Sequence, residues 1–522
     1  MCLLLSVGCA GVLDLYVARW MSTTYDEPQF VDYGEQVLHC QPDRSSPAYD
    51  SKSPATALNA LPRVLASYLD RDGARPAFWK IIRSIRFARI PSLLATLLLN
   101  FFIYRWAYEL YGPAAAIAAC IMLVFSPSLI AHGVLATNDG YFATGVIVSL
   151  YLFRRFLLRP TLREAWISGL ALGIAQLTKA FAIYLYAVVL VVLMALWKSK
   201  KNELSPASQR ALIGFVPIAL LCFLLAVNAG FCFDRSFTPL RSYSFDSAGL
   251  ARLQKVPLLH SIPLPLPYPF LQGLDMLKYH DETGVACQKV YFLGQLGNPY
   301  DPSFHGFKSF YVVAMFFKEP IPMQILCILG LVWIWRNRSY PEFLTGEAML
   351  LLAAFVLFAW FSLFRRTPLG IRNILPVVAV EIVIAAAAFV NFSAKPRKTK
   401  IALSVLLVWL CVSTMSYYPN LIAYMNEWVI DRTQSYKILV DSNLDYGQEG
   451  DLVSDFLKHN PDVVLNPVKP VAGRVLVTVN QLVGEWHGYE PMSWLLQYRP
   501  VSRVGYGHLL YVVPPAAGAV PQ

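Results

Sequence analysis

Charge is what this sequence has least of. Only 15% of its 522 residues are Asp, Glu, Lys or Arg, while 56% are hydrophobic. Soluble domains carry about 25% charged residues, so an ordinary soluble globular protein of this length is excluded. Cysteine is sparse and scattered. The nine cysteines form no CxxC pair and no metal-ligand spacing, and most sit in apolar runs, where a free thiol behaves as a small hydrophobe. No basic-aromatic nucleic-acid motif accompanies the net charge of +11, so nucleic acid is not an expected partner. The N-terminus lacks the basic region of a signal peptide. Its first twenty residues read instead as a membrane helix, with Asp14 turned to the protein interior because a carboxylate is costly in lipid.

What is present is a series of long apolar blocks. A span needs roughly 20 mostly apolar residues. Blocks of that kind occur at 1–20, 90–110, 114–132, 140–157, 164–178, 180–197, 211–231, 319–336, 345–364, 371–392 and 401–418. The expected fold class is therefore mainly α: a polytopic transmembrane bundle of about eleven spans. Residues 1–430 form the membrane domain, with outer loops at 21–89 and 232–318, and residues 431–522 form a small α/β domain outside the membrane. Within the first loop, "SPATALNALPRVLASYLD" reads as an amphipathic stretch near the membrane surface. The second is proline-rich ("HSIPLPLPYPF"), which disfavours regular helix.

Lys and Arg in short loops set the orientation. "RRFLLRPTLR", "KSKKNELSPASQR", "RNR" and "KPRKTK" all fall on one side of the span count, which becomes the cytoplasmic side. The loops at 21–89, 133–139 and 232–318 and the C-terminal domain then lie outside. "FRRTPLGIRN" breaks the rule by placing Arg365, Arg366 and Arg372 on the outer side. Arginine in such a place suits phosphate, which its planar fork binds in bidentate fashion. Cys40 and Cys287 both fall in outer loops, which leaves a disulfide between them open.

The C-terminal part reads as α/β. "YKILVDSN", "GRVLVTVNQLVG" and "GHLLYVV" suit strands. "QEGDLVSDFLKHN" suits an amphipathic helix with Leu452, Val453, Phe456 and Leu457 on one face. The part has no P-loop and no GxGxxG, which argues against a nucleotide site there.

Polar residues gather at the outer ends of spans: Asp26 and Glu27, Asn138 and Asp139, Lys179, Lys318 and Glu319, and the three arginines. Pro28 disfavours helical backbone at Glu27, which would present the acid pair at the mouth of a cavity. Acids and cations at one depth suit a reaction between a phosphate-bearing lipid and a hydroxyl or amine. Cations stabilise the departing phosphate, and a carboxylate takes the acceptor's proton.

The ordered motifs resemble the GT-C integral-membrane glycosyltransferases, in the bacterial branch related to protein O-mannosyltransferases and the lipid A aminoarabinose transferase (family 39-like). The resemblance rests on "YDEPQFVDYGEQV", "HGVLATNDGYFATGVIVSLYLFRRF", "LALGIAQLTKAFAIYLY", "SFYVVAMFFKEPIPMQI", "GIRNILPV" and "YYPNLIAYMNEWV…YKILVDSNLDYGQEGDL". It implies a polyprenyl-phosphate sugar donor and an envelope acceptor of open identity: lipid, glycan or protein. By this resemblance Asp26, Glu27 and Asp139 are the catalytic acids. Lys179, Lys318 and Arg372, with Arg365 and Arg366, hold the donor phosphate. Asp441, Asn443, Asp445 and Tyr446 in "DSNLDYG" are either a turn or a substrate-binding segment. The resemblance leaves a divalent metal open, and His132, His305 and His487 are isolated in the sequence. The central outer loop is too short for the soluble domains of the mannosyltransferase branch, which weighs against a protein acceptor. The expected location is the plasma (inner) membrane, with the active site outside. A flippase of a lipid-linked sugar is the alternative; it would bury its charges near the bilayer midplane.

Overall fold

A computed structural model describes residues 2–42, 52–70, 76–200, 204–285, 288–486 and 490–515. Each of the eleven apolar blocks contains helix. Among the described residues, six helical segments are long and apolar enough to span a bilayer on their own, and eight are if each bent pair is one span. The count falls short of eleven partly because two of the expected spans are short helices, Leu162–Ala175 and Glu347–Leu363. Two others are broken. Pro113–Val124 and Pro127–Gly133 meet at 61°, and Phe310–Lys318 and Ile321–Asn337 at 108°. A proline follows each break, at Pro127 and Pro320. Proline lacks the N–H and clashes with the preceding turn, so the helix stops there. Such interruptions survive at membrane depth where protein satisfies the freed backbone groups.

The helix Leu375–Ala386 is the centre of the bundle. It packs against Asp139–Leu158, Ile321–Asn337, Glu347–Leu363 and Pro113–Val124. Leu162–Ala175 and Pro206–Gly230 approach most closely because Gly173 presents no side chain: a Cβ there would sit 2.7 Å from the Cys222 carbonyl oxygen. Small residues are what let membrane helices pack this tightly. Asp14 is buried, as its cost in lipid requires.

The two ends of the bundle differ in charge. Asp139 opens the helix Asp139–Leu158, and Arg154 near its other end pairs with Glu109 at 2.7 Å. Arg338 joins Glu347 and the Leu110 carbonyl at that second end. The acid-and-arginine motifs thus lie at the end opposite the basic loops at 154–163 and 336–338.

In the loop after the first helix, Ala57–Leu69 forms a helix that buries Asn59, Ala60, Val64 and Ala66 and exposes Leu58, Leu61, Leu65, Tyr68 and Leu69. Both faces carry apolar side chains. Cys40 is bonded to Cys232, which ties this loop to the second one. This replaces the pairing of Cys40 with Cys287 that the loop positions left open; Cys287 itself lies outside the described residues, as does His487.

The C-terminal part holds a four-stranded sheet in the order β3-β4-β6-β5: Val463–Leu465 (β3), Gly473–Thr478 (β4), Ser502–Val504 (β5) and His508–Val513 (β6). β3 runs parallel to β4, and the other pairs are antiparallel, with Val475 opposite Tyr511. A short hairpin, Val290–Phe292 (β1) and Gln295–Gly297 (β2), lies in the second outer loop. The helix Gly450–His459 packs Val453, Phe456 and Leu457 on the sheet, whereas Leu452 is exposed. "YKILVDSN" is not a strand. It forms two 3₁₀ turns, Arg432–Lys437 and Asp441–Asn443. Asp441 has a positive φ of 56°, which breaks an extended run. Hydrogen bonds to the membrane domain replace the sheet ladder there. Glu449 fastens sheet to bundle: it accepts from the Tyr506 and Gly507 N–H groups and from Asn420.

Candidate active site

The acid pair opens the helix Glu27–Leu38, with Pro28 in its first turn. Proline is favoured at that position because its missing N–H is one of the donors a helix start leaves unpaired. The backbone at Glu27 is therefore helical, contrary to the expectation from Pro28. Gly34 lets this helix lie on the turn Pro54–Thr56, since a Cβ would meet the Thr56 carbonyl oxygen at 2.3 Å. Successive helical residues point about 100° apart, so Asp26 and Glu27 face different surroundings.

Glu27 points inward and is fully buried. Its carboxylate receives Arg89 in a two-pronged bond (Nε at 2.7 Å, Nη2 at 2.6 Å), the N–H and hydroxyl of Thr24, and the Ala136 N–H at 2.9 Å. Arg89 also donates to the carbonyls of Ala18, Met21 and Ser22, around the end of the first helix. Glu27 is saturated with donors and is a positioning residue of the loop.

Asp26 points the other way and keeps 31% of its side chain exposed. Its Oδ2 accepts from Arg372 Nη1 at 2.7 Å and from the Tyr446 hydroxyl at 2.5 Å. The same arginine nitrogen donates to the Tyr446 oxygen at 2.5 Å and lies 3.7 Å from Asp139 Oδ2. Asp139 Oδ1 accepts from Lys179 at 2.7 Å, and Lys179 also donates to Asn373 at 3.0 Å. Asn373 in turn donates to the Tyr311 hydroxyl at 3.2 Å. Five separated parts of the chain thus meet: residues 26, 139, 179, 372–373 and 446. Buried Arg372 Nε has no acceptor among the described residues, so the guanidinium retains a donor for an anion.

The DSNLDYG segment divides. Tyr446 belongs to the cluster. Asn443 is structural: it accepts from the Ile371 N–H and donates to the Leu369 and Val440 carbonyls. Asp445 caps Gly447 through one oxygen and leaves the other buried without a hydrogen-bond partner among the described residues. Burial pushes Asp445 up to about 6. It pushes Asp441 up to about 7, with Arg372 pulling the other way. Glu485, deeply buried beside both, is raised too.

Three expected phosphate ligands are placed elsewhere. Lys318 lies at the 108° break, fully buried, and donates to the Ile422 and Asn443 carbonyls at 2.6 and 2.7 Å. It clamps the C-terminal segment to the bundle. Arg365 pairs with Asp281 at 2.8 Å, and Arg366 donates to the Glu282 and Asp301 carbonyls. Those two fasten the second outer loop. His132, isolated in sequence, is buried beside Tyr446 with ring centroids 6.3 Å apart. Only the packing of Pro127–Gly133 brings it there. Among the described residues no group of three or more His, Cys, Asp or Glu side chains is arranged to hold a metal ion.

Residues 78–228 match the family described as dolichyl-phosphate-mannose-protein mannosyltransferase. No curated protein matches the chain. The fold is similar to the crystal structure of ArnT from Cupriavidus metallidurans bound to undecaprenyl phosphate, at 14% identity, 99% coverage of both chains and a TM-score of 0.50. Apo ArnT from the same organism gives 14% identity, the same coverage and a TM-score of 0.48. A segment similar to that mannosyltransferase family thus lies within a mainly helical, multi-pass membrane protein whose fold is similar to that of ArnT.

Proposed function

We propose that the protein transfers a sugar from a polyprenyl-phosphate donor to an envelope acceptor at the outer face of the plasma membrane. The observation that carries this reading is Arg372, held between Asp26 and Asp139 with an unused buried donor. The family segment and the undecaprenyl phosphate bound to ArnT support the donor class. The basic loops at the opposite end of the bundle support the outer placement.

In the proposed reaction the acceptor oxygen or nitrogen attacks the anomeric carbon of the donor sugar. Asp26, the exposed member of the acid pair, takes the acceptor's proton. The bond from anomeric carbon to phosphate oxygen breaks, and its electrons leave on the polyprenyl phosphate. Arg372 meets that growing charge. Binding of the phosphate draws Arg372 from Asp26, which frees a carboxylate oxygen to receive the acceptor's proton. Lys179 and Asp139 fix Arg372 from behind, and Tyr446 fixes the Asp26 rotamer. Glu27, Lys318, Arg365 and Arg366 hold the frame.

Purified protein in proteoliposomes, given a polyprenyl-phosphate donor with a radiolabelled sugar and an envelope-lipid extract, tests the reading. Label should pass to an acceptor and free polyprenyl phosphate should appear in equal amount. Movement of intact donor across the bilayer with no release of polyprenyl phosphate would replace this reading by a flippase.

A further inference from the structure

The second outer loop contains a closed unit. Phe237 N–H donates to the Leu264 carbonyl at 2.8 Å, Leu264 N–H to Thr238 at 3.2 Å and Leu240 N–H to Ile262 at 3.3 Å. Residues 237–264 therefore leave and rejoin the chain at one neck. Between the ends lie two short helices, Ala248–Gln254 and Pro257–His260. The unit is fixed to the helix Tyr268–Thr283. Asp275 accepts the N–H groups of Asp246 and Ser247, and Glu282 accepts those of Ala248 and Gly249.

Its outer surface is unlike that of a soluble loop. Leu258 is 82% exposed, and Leu253, Val256 and Ile262 are 40–43% exposed. Arg241, Arg252 and Lys255 are exposed among them and form no ion pair with any described residue. Asp246 is the sole acid of residues 237–264, so three cations face one anion. The helix Pro206–Gly230, which ends just before this unit, exposes Ile213, Val216, Leu220 and Leu225, and Phe233 and Phe237 are exposed in the residues that follow it.

We propose that residues 237–264 seat on the surface of the surrounding bilayer leaflet and bind its anionic headgroups. Leu258 and its neighbours enter the interface, and Arg241, Arg252 and Lys255 meet the phosphates. Exposed apolar side chains ringed by Lys and Arg are the composition of an interfacial anchor. A second copy of the chain is the poorer occupant. A two-fold contact would set the same three cations against themselves, with Asp246 alone to offset them.

Each Lys or Arg near an anionic leaflet raises surface affinity about fivefold, so the three together predict roughly a hundredfold. Hydrogen exchange of the full-length protein in single-copy nanodiscs reads this directly. Discs of phosphatidylcholine alone are compared with discs containing phosphatidylglycerol. Amides of 248–262 should exchange at least about tenfold more slowly in the anionic discs. The triple variant R241Q/R252Q/K255Q should lose that difference, with amides of Pro206–Gly230 unchanged as the folding control. Equal exchange in both discs, or slowing that persists in the triple variant, would overturn the proposal. So would slowing that appears only in discs holding two copies, which would assign the face to a dimer.

Discussion

Replacing Glu27 by Gln should damage the fold before it damages the chemistry. Glu27 and Arg89 are 0% and 1% exposed, and the guanidinium has five acceptors: both Glu27 oxygens and three backbone carbonyls. Removing one partner of such a pair strands the other charge and costs about 3–5 kcal/mol. An unfolding entropy of about 2.1 cal/mol/K per residue, over 522 residues, comes to roughly 1.1 kcal/mol/K. Taken as one cooperative unit, the chain should lose about 3–5 °C in Tm. Arg89→Gln should cost more than Glu27→Gln, because it also strands the carbonyls of Ala18, Met21 and Ser22 around the end of the first helix. The paired change Glu27→Leu with Arg89→Met should recover part of the loss, since apolar replacements of a buried ion pair are often neutral. The assay is thermal unfolding in detergent, followed through intrinsic tryptophan. A Glu27→Gln protein with unchanged Tm and no transfer activity would refute the structural role and return Glu27 to the chemistry.

Other outcomes follow from the same geometry. Arg372→Gln should weaken polyprenyl-phosphate binding by about 10–100-fold, the worth of a charged hydrogen bond at roughly 1.5–3 kcal/mol, measured with radiolabelled lipid; unchanged affinity would remove Arg372 from the phosphate. Tyr446→Phe should lower kcat/KM by about 10–100-fold, because its hydroxyl bonds the Asp26 carboxylate and the Arg372 guanidinium and a charged hydrogen bond is worth roughly 1.5–3 kcal/mol, without moving the Tm by more than about 3 °C. Burial raises Asp445 to about 6 and Asp441 to about 7. The folded state thus binds these protons more tightly than the unfolded chain, and their contribution to stability is lost as pH rises from about 4 towards 7. For Asp445 the loss is roughly 3 kcal/mol, at 1.36 kcal/mol per pKa unit, so Tm should fall across that range, and Asp445→Asn should flatten the fall. Non-reducing peptide mapping should recover the Cys40 and Cys232 peptides as one species; separate peptides would contradict the tie between the outer loops.

The parts of the site legible in the sequence were those set by topology. Asp26, Asp139, Lys179 and Arg372 each sit at the outer end of a predicted span, and a bundle must bring such ends to one face. Which way each side chain turns is a matter of packing, which no local sequence pattern encodes. Asp26 and Glu27 are neighbours, yet a helical step of about 100° sends one to Arg372 and the other to Arg89. Lys318, expected at the phosphate from the family resemblance, has its ammonium turned onto the Ile422 and Asn443 carbonyls beside the helix break. Arg365 and Arg366 do break the charge rule, but for loop partners that lie over sixty residues away in sequence. Asn373 could have been noticed, one residue beyond the arginine of "GIRN". His132 carried no such signal. The strand expected at "YKILVDSN" failed because its apolar residues pack into the bundle as turns, a contact no local pattern encodes.

The central claim is that Asp26, and not its neighbour, removes the acceptor's proton beside a phosphate held by Arg372. Transfer of labelled sugar by purified Asp26→Asn, set beside its Tm and its affinity for polyprenyl phosphate, tests it most directly. The account predicts transfer reduced by at least about a hundredfold, the lower range for a general base, with Tm and lipid affinity near those of the native protein. Transfer at the native rate in a folded, lipid-binding Asp26→Asn protein would contradict it.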